Sequence, residues 1–281
     1  MCIVQKTVRN TCSIIALNQH GQDMKLRVLG CHGGETSKHR TSAFLVDETL
    51  AIDAGALTSQ LTLREQKKIR HVLISHAHMD HIRDLATLTD NRAQSGGQTL
   101  EVVATAETIG VLRKHFFNGA LWPNFERIRL RSGEPSLRLV ELAAEGMQVG
   151  AFEVKPVAVS HTVDCSAFFV RKANSPGKTL VYGGDTGATD KLWKAIDLDP
   201  KVSLVMADVS FPNAEQAVAS RSGHHTPQSL MADLAKSSTL VRYNVLAYHL
   251  KPAFEAKTER ELARLRGVNL EVARLGAEYK L

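Results

Sequence analysis

The feature that most restricts this chain is a series of short apolar runs with little polar alternation. "KLRVLG", "SAFLVD", "TLAIDAG", "HVLIS" and "TLEVVA" come first, then "FEVKPVAV", "SAFFVRKA", "TLVYGGD", "VSLVMADV" and "NVLAYH". Runs of this length, bounded by turn residues, read as strands, and strands apolar on successive positions are covered on both faces. Helical periodicity falls between them, over 58–68, 105–114, 227–236 and 258–266. The tail "NLEVARLGAEYKL" reads as a closing strand pair around Gly276. Two sheets packed face to face with helices outside would bury these runs, an α/β architecture. No low-complexity linker divides the halves, so residues 24–281 are expected to form one domain.

At 281 residues the chain can bury a sizeable core, and its 43% apolar and 23% charged residues are ordinary for a globular protein. The formal charge of +6 favours anionic partners, but such a balance is also usual in plain enzymes, and nucleic acid is not the expected partner. Cys2, Cys12, Cys31 and Cys165 lie far apart with no CxxC pair, which fits a reducing, cytoplasmic setting and excludes a cysteine zinc site. No apolar run reaches the roughly 18 residues that span a bilayer, so no membrane partner is expected. Residues 1–23 hold basic residues around a short patch, "CSIIAL", too short for the core of a secretory leader. They are expected to be a poorly packed tail ahead of Met24, an extra strand or helix being the alternative.

Directly after "VLIS" the chain places His76, His78, Asp80 and His81 within six positions. His76 and His78 are two apart, so an extended segment projects them to one side, and Asp80 and His81 follow where a helix should begin. Burying so many polar groups without partners is costly, and a metal is the usual compensation. Further donors end later apolar runs: His161 in "VAVSHT", Asp185 in "VYGGDTG" and His249 in "VLAYHLKP". Singly, each reads as a turn, cap or backbone-satisfied residue. Together they make seven nitrogen and oxygen donors and no thiolate, more than one tetrahedral ion can use. Two ions sharing one carboxylate fit the count.

The ordered set "SHAHMDH", His161, "GDTG" and His249 resembles the metallo-β-lactamase fold superfamily across 24–281. The resemblance implies a single-domain, four-layered αββα sandwich. It also implies His76, His78 and His161 as ligands of one ion, Asp80, His81 and His249 as ligands of the other, and Asp185 as the bridge. A carboxylate there disfavours true β-lactamases, where a cysteine usually stands. "LGCHGGE", "FFNGALWPNF", "SAFFV", "GHHTPQSL" and "YHLKP" narrow the resemblance to class II cyclic-nucleotide phosphodiesterases. Two positions depart from the pattern: His225 replaces an apolar residue of an "HLTP"-like motif, and His32 replaces a small polar residue in "CHGG".

The activity so implied is hydrolysis of the 3′-ester of 3′,5′-cyclic AMP or cyclic GMP to the 5′-monophosphate. Two divalent ions, Zn²⁺ with Mn²⁺ or Fe as alternatives, would lie about 3.5–4 Å apart and hold a bridging hydroxide oriented by Asp80. His224 matches the motif histidine and is the candidate general acid and phosphate contact, with His225 and Thr226 beside it. The same residues also suit capping of a helix that starts at Pro227. Aromatics are only 5% of the chain yet gather in "RKHFFNGALWPNFERI", which makes Phe117, Asn118 and Trp122 candidate substrate contacts. Core packing of Phe116, Phe117, Trp122 and Phe125 is the competing expectation, and Asn118 and Asn124 also suit turns. The glycine-rich "LGCHGGET" lacks any phosphate-loop pattern and reads as a loop near the metal site. The resemblance further implies a homodimer. Rival activities are a tRNA 3′-processing endonuclease, for whose arm the short chain between His161 and Asp185 leaves no room, a lactone or thioester hydrolase, and a metal sensor without turnover.

Overall fold

A computed structural model describes residues 23–174 and 177–281. The expectation for the N-terminal tail falls, but for Asp23, outside the described residues. One sheet holds β1 (Lys25–Gly30), β2 (Ala43–Val46), β3 (Leu50–Ile52), β4 (His71–Leu73), β5 (Leu100–Ala104) and β6 (Leu137–Glu141). The other holds β7 (Met147–Val149), β8 (Phe152–Ala158), β9 (Ser166–Lys172), β10 (Thr179–Tyr182), β11 (Val202–Asp208), β12 (Asn244–Tyr248) and β13 (Leu270–Val272). A further strand, β14 (Glu278–Lys280), returns to the first sheet beside β1. Both sheets pass from antiparallel pairs to a parallel run, β3 to β6 in one and β10 to β13 in the other.

Three apolar layers explain why the strands lack polar alternation. Leu26, Val28, Phe44, Val46, Leu50 and Ile52 turn inward and meet Phe152, Phe168, Tyr182, Met206 and Tyr248 of the opposite sheet. The alternate residues Leu45, Ala51, Val72 and Val102 lie under α1 (Leu63–Lys68), α3 (Leu85–Gln94) and α4 (Ala106–Val111) through Leu85, Leu88 and Ile109. On the far side Val181, Val205 and Val245 pack beneath α5 (Asp190–Leu198), α7 (Pro227–Leu234) and α8 (Glu255–Leu262). Between these elements lie α2 (Met79–Ile82) and α6 (Gln216–Ser222). The result is helix, sheet, sheet, helix.

Local chemistry sets several boundaries. The helix expected over 58–68 divides into a 3₁₀ turn at Thr58–Gln60 and α1, because Thr62 and Glu65 build a reciprocal capping box that restarts the helix. The helix expected over 105–114 is α4 followed by a π-helical turn at Leu112–Phe116. The strand pair expected around Gly276 does not form. β13 joins β12 in parallel and β14 joins β1 antiparallel, so the two halves of that tail belong to different sheets. Ala273 and Leu281, with Tyr279 packed against them, fill the layer between the sheets, and Gly276 at φ 77° makes the step across. Among the described residues no helix is long and apolar enough to cross a membrane.

Candidate active site

The chain leaves β4 through Ile74 and Ser75 and then presents His76 and His78 on extended backbone; His78 is the N-cap residue of α2, which carries Asp80 and His81. His161 follows β8, Asp185 follows β10 and His249 follows β12. The structure brings these seven side chains together. His78 Nδ1 lies 3.1 Å from His76 Nε2 and 3.3 Å from His161 Nε2, one three-nitrogen cluster. His249 Nε2 lies 3.4 Å from His81 Nε2 and 3.3 Å from Asp80 Oδ2, a second cluster. Asp185 Oδ2 stands between them, 3.2 Å from both His81 Nε2 and His249 Nε2 and 3.9 Å from His76 Nε2.

A second set of residues holds the rings from behind. Asp53, fully buried, accepts from Ser75 N at 2.8 Å, Ser75 Oγ at 2.8 Å and Tyr182 OH at 2.6 Å, and faces His81 Nδ1 at 2.7 Å. Asp208 accepts from Ser210 Oγ at 2.9 Å, and that hydroxyl sits 2.9 Å from His249 Nδ1. Its other oxygen faces His224 Nδ1 at 2.6 Å. The Gly223 carbonyl lies 3.0 Å from His161 Nδ1. Such partners fix which ring nitrogen points into the site. Sequence reasoning missed Asp53, Asp208 and Ser210, although both aspartates end apolar runs in "LAIDAG" and "LVMADVS".

Backbone geometry adds to the placement. Asp53 and His249 have φ of 56° and 70°, a left-handed conformation that Asp and His reach more readily than most residues. The His249 N–H donates to the Cys31 carbonyl at 2.7 Å. Gly33 makes this approach feasible, since a Cβ there would stand 2.6 Å from the His249 carbonyl oxygen and 2.8 Å from its Nδ1. The glycine-rich loop thus lies beside the site, as its sequence suggests.

Electrostatics favour a cation at the centre. Burial pushes His76 well below the usual histidine range and lowers His78 and His161 as well. Burial would lower His81 too, but Asp185 and Asp53 on either side hold it well above. Burial opposes ionisation of Asp185, yet His249 and His81 hold it well below the ordinary carboxylate range. Asp80 is held down against burial by the His249 hydrogen bond and the His81 charge. The Oδ1 atom of Asp185 is buried with no hydrogen-bond partner. A buried anion with an idle oxygen, ringed by imidazole nitrogens, fits a divalent metal centre.

His224 completes the wall of the site. Its ring stacks on His249 at 5.2 Å and meets His161 edge-on at 5.1 Å. Burial would lower it, but Asp208 raises it above the ordinary value and favours the protonated ring. His225 and Thr226 are used otherwise. His225 is buried with Nδ1 3.1 Å from Ser229 Oγ and Nε2 3.5 Å from Asp233 Oδ2, and Thr226 caps α7 through Ser229. These contacts correct the substrate-facing placement expected for both. Phe117 is also turned from that role: it is 1% exposed, edge-on to Phe116 and Phe125 in the core under the first sheet. Asn118 Oδ1 accepts from Ala120 N and Leu121 N, closing a turn. Trp122 is half-buried against the same core.

A double-sheet sandwich with histidine and carboxylate clusters at its strand ends is the metallo-β-lactamase fold. The chain belongs to the beta-lactamase superfamily domain family, whose model matches residues 45–242. It is 27% identical over 224 residues to a probable 3′,5′-cyclic-nucleotide phosphodiesterase of Yersinia pestis, 72% of this chain and 62% of that protein, so under two thirds of the relative is spanned. It is 25% identical over 294 residues to the 3′,5′-cyclic-nucleotide phosphodiesterase of Aliivibrio fischeri, 86% of each chain. Ribonuclease Z of Limosilactobacillus reuteri also matches, 28% identical over 170 residues, 56% of this chain and 52% of that protein. Among solved structures, unliganded yeast PDE1 superposes with a TM-score of 0.79 at 20% identity, covering 92% of this chain and 100% of that one.

Proposed function

We propose that this chain is a two-metal phosphodiesterase that opens the 3′-ester of cyclic AMP or cyclic GMP to give the 5′-monophosphate. The observation that carries the reading is Asp185 between two clusters, with His76, His78 and His161 on one side and Asp80, His81 and His249 on the other. The relatives named for cyclic nucleotides support the substrate class. Zn²⁺, with Mn²⁺ or Fe as alternatives, would be held by these seven side chains and supply a Lewis acid and a water of pKa about 7.

The remaining steps fall to the chain itself. Asp80, with its side chain partly open to solvent, orients the attacking water. As that oxygen joins phosphorus and the P–O3′ bond breaks, the 3′-oxygen needs a proton, and His224, whose protonated ring Asp208 favours, donates it. Trp122 stays in the proposal as a base contact.

The test is turnover by metal-loaded protein of cyclic AMP, cyclic GMP, bis-p-nitrophenyl phosphate, a lactone and precursor tRNA. Cyclic nucleotides are expected to be opened to 5′-monophosphates; cleavage confined to precursor tRNA or to the lactone would overturn the proposal. His224→Ala sharpens the role of the acid. It should lose about 10²–10⁴-fold on a cyclic nucleotide, whose leaving alkoxide needs a proton, and far less on bis-p-nitrophenyl phosphate, whose leaving group does not. Equal losses on both would remove His224 from the acid role.

A further inference from the structure

A second group of ligand-type side chains lies apart from the Asp185 centre. His32, just past the end of β1, His39, in the loop that follows, and Glu255, the first residue of α8, bring one donor atom each within 4.8 Å of one another. His32 Nε2 stands 3.2 Å from Glu255 Oε1 and His39 Nε2 stands 3.0 Å from Glu255 Oε2. The two rings meet edge-on at 4.7 Å. A tetrahedral ion with bonds of about 2.0–2.1 Å sets its ligand atoms roughly 3.3 Å apart, close to these spacings.

The rings are also held as ligand rings usually are. His32 Nδ1 lies 3.3 Å from both the carbonyl oxygen and the amide nitrogen of Arg40, and His39 Nδ1 lies 2.5 Å from Thr36 Oγ1. Both Nε2 atoms are thereby left to face the one carboxylate. His32 is 7% exposed, while the side chains of His39 and Glu255 keep 17% and 29% of their surface, so an ion could enter from solvent and keep a water as fourth ligand. Two imidazoles and one carboxylate suit zinc-class ions better than Ca²⁺ or Mg²⁺, which prefer oxygen.

We propose that His32, His39 and Glu255 bind one zinc-class divalent ion, separate from the ions of the Asp185 centre. The three ligands come from three segments. The ion would tie the loop from Cys31 to Arg40 to the start of α8, close to where Cys31 and Gly33 touch His249.

Zinc content per chain tests this. Wild type, His39→Ala and Glu255→Gln are loaded with Zn²⁺ under one protocol, desalted and analysed for metal by mass spectrometry. Each variant should hold one equivalent fewer than wild type, whatever the Asp185 centre holds, because only the difference is read. Asp185→Asn, by contrast, should keep this equivalent, so failure here and failure of the proposed activity are distinguishable. Zinc should also raise the unfolding midpoint of wild type more than that of either variant. Glu255→Gln preserves size and removes the charge and one of the two acceptor oxygens, so it carries the comparison if His39→Ala does not fold. Equal zinc content and equal shifts in wild type and Glu255→Gln would overturn the site.

Discussion

Asp185→Asn is expected to cut turnover of a cyclic nucleotide by about 10³-fold or more and to lower the divalent metal retained after desalting, with the fold intact. The residue is 1% exposed, and its Oδ2 stands between the two clusters, 3.2 Å from His81 and His249 and 3.9 Å from His76. An amide removes the negative charge and presents either an N–H or a weaker oxygen to His81 and His249. Metal ions in such sites contribute several kcal/mol of transition-state stabilisation, and each 1.36 kcal/mol corresponds to about tenfold in rate. The check combines kcat/KM, metal analysis and circular dichroism on the same preparations. Wild-type turnover with wild-type metal content would show that the two clusters do not depend on a shared carboxylate. Dialysis of the native protein against a chelator should mimic the variant, and added Zn²⁺ or Mn²⁺ should reverse it.

The second large effect is expected at Asp53, which no substrate need touch. Its two oxygens receive Ser75 N, Ser75 Oγ and Tyr182 OH and face His81 Nδ1, all within 2.8 Å. Asp53→Asn replaces one acceptor by a donor among groups that donate, which should weaken metal retention about 10–100-fold. It should also cost about 1–3 kcal/mol of stability for the buried groups left without a partner. Asn tolerates the left-handed backbone found at this position, so the comparison isolates chemistry from strain; Asp53→Ala adds the strain and should be less stable still. Metal titration and urea unfolding read the two effects separately. An Asp53→Asn protein that binds metal and unfolds like wild type would mean that His81 is positioned by other contacts.

These two residues mark the division between what the sequence makes legible and what it hides. Asp185 was visible because six other donors also end apolar runs, and their joint presence outweighs the ordinary reading of each. Asp53 ends a run as well, yet it is one carboxylate after a strand, the usual composition of a turn or cap. Its role depends on Ser75, Tyr182 and His81, which come from distant positions, and no local pattern joins them. His224 and His225 teach a related lesson. His224 stacks on His249 in the site, while its neighbour His225 turns to Ser229 of α7. Aromatic enrichment drew attention to Phe117, but a ring beside Phe116 and Phe125 serves the core beneath the first sheet. The ten central strands were legible from apolar length alone. Pairing of the final tail was not, because alternation says which face a strand buries and nothing about which neighbour it joins.

That tail bears on how the protein is made. β1 meets β14 in the register Lys25 with Lys280, Leu26 with Tyr279 and Arg27 with Glu278. On the ribosome, one edge of β1 therefore keeps its amides and carbonyls open until residues 278–280 have emerged. A nascent sheet with such an edge can recruit strands from another chain. Lys25, on this waiting strand, gives it a charge that discourages mispairing until Glu278 arrives to pair with it.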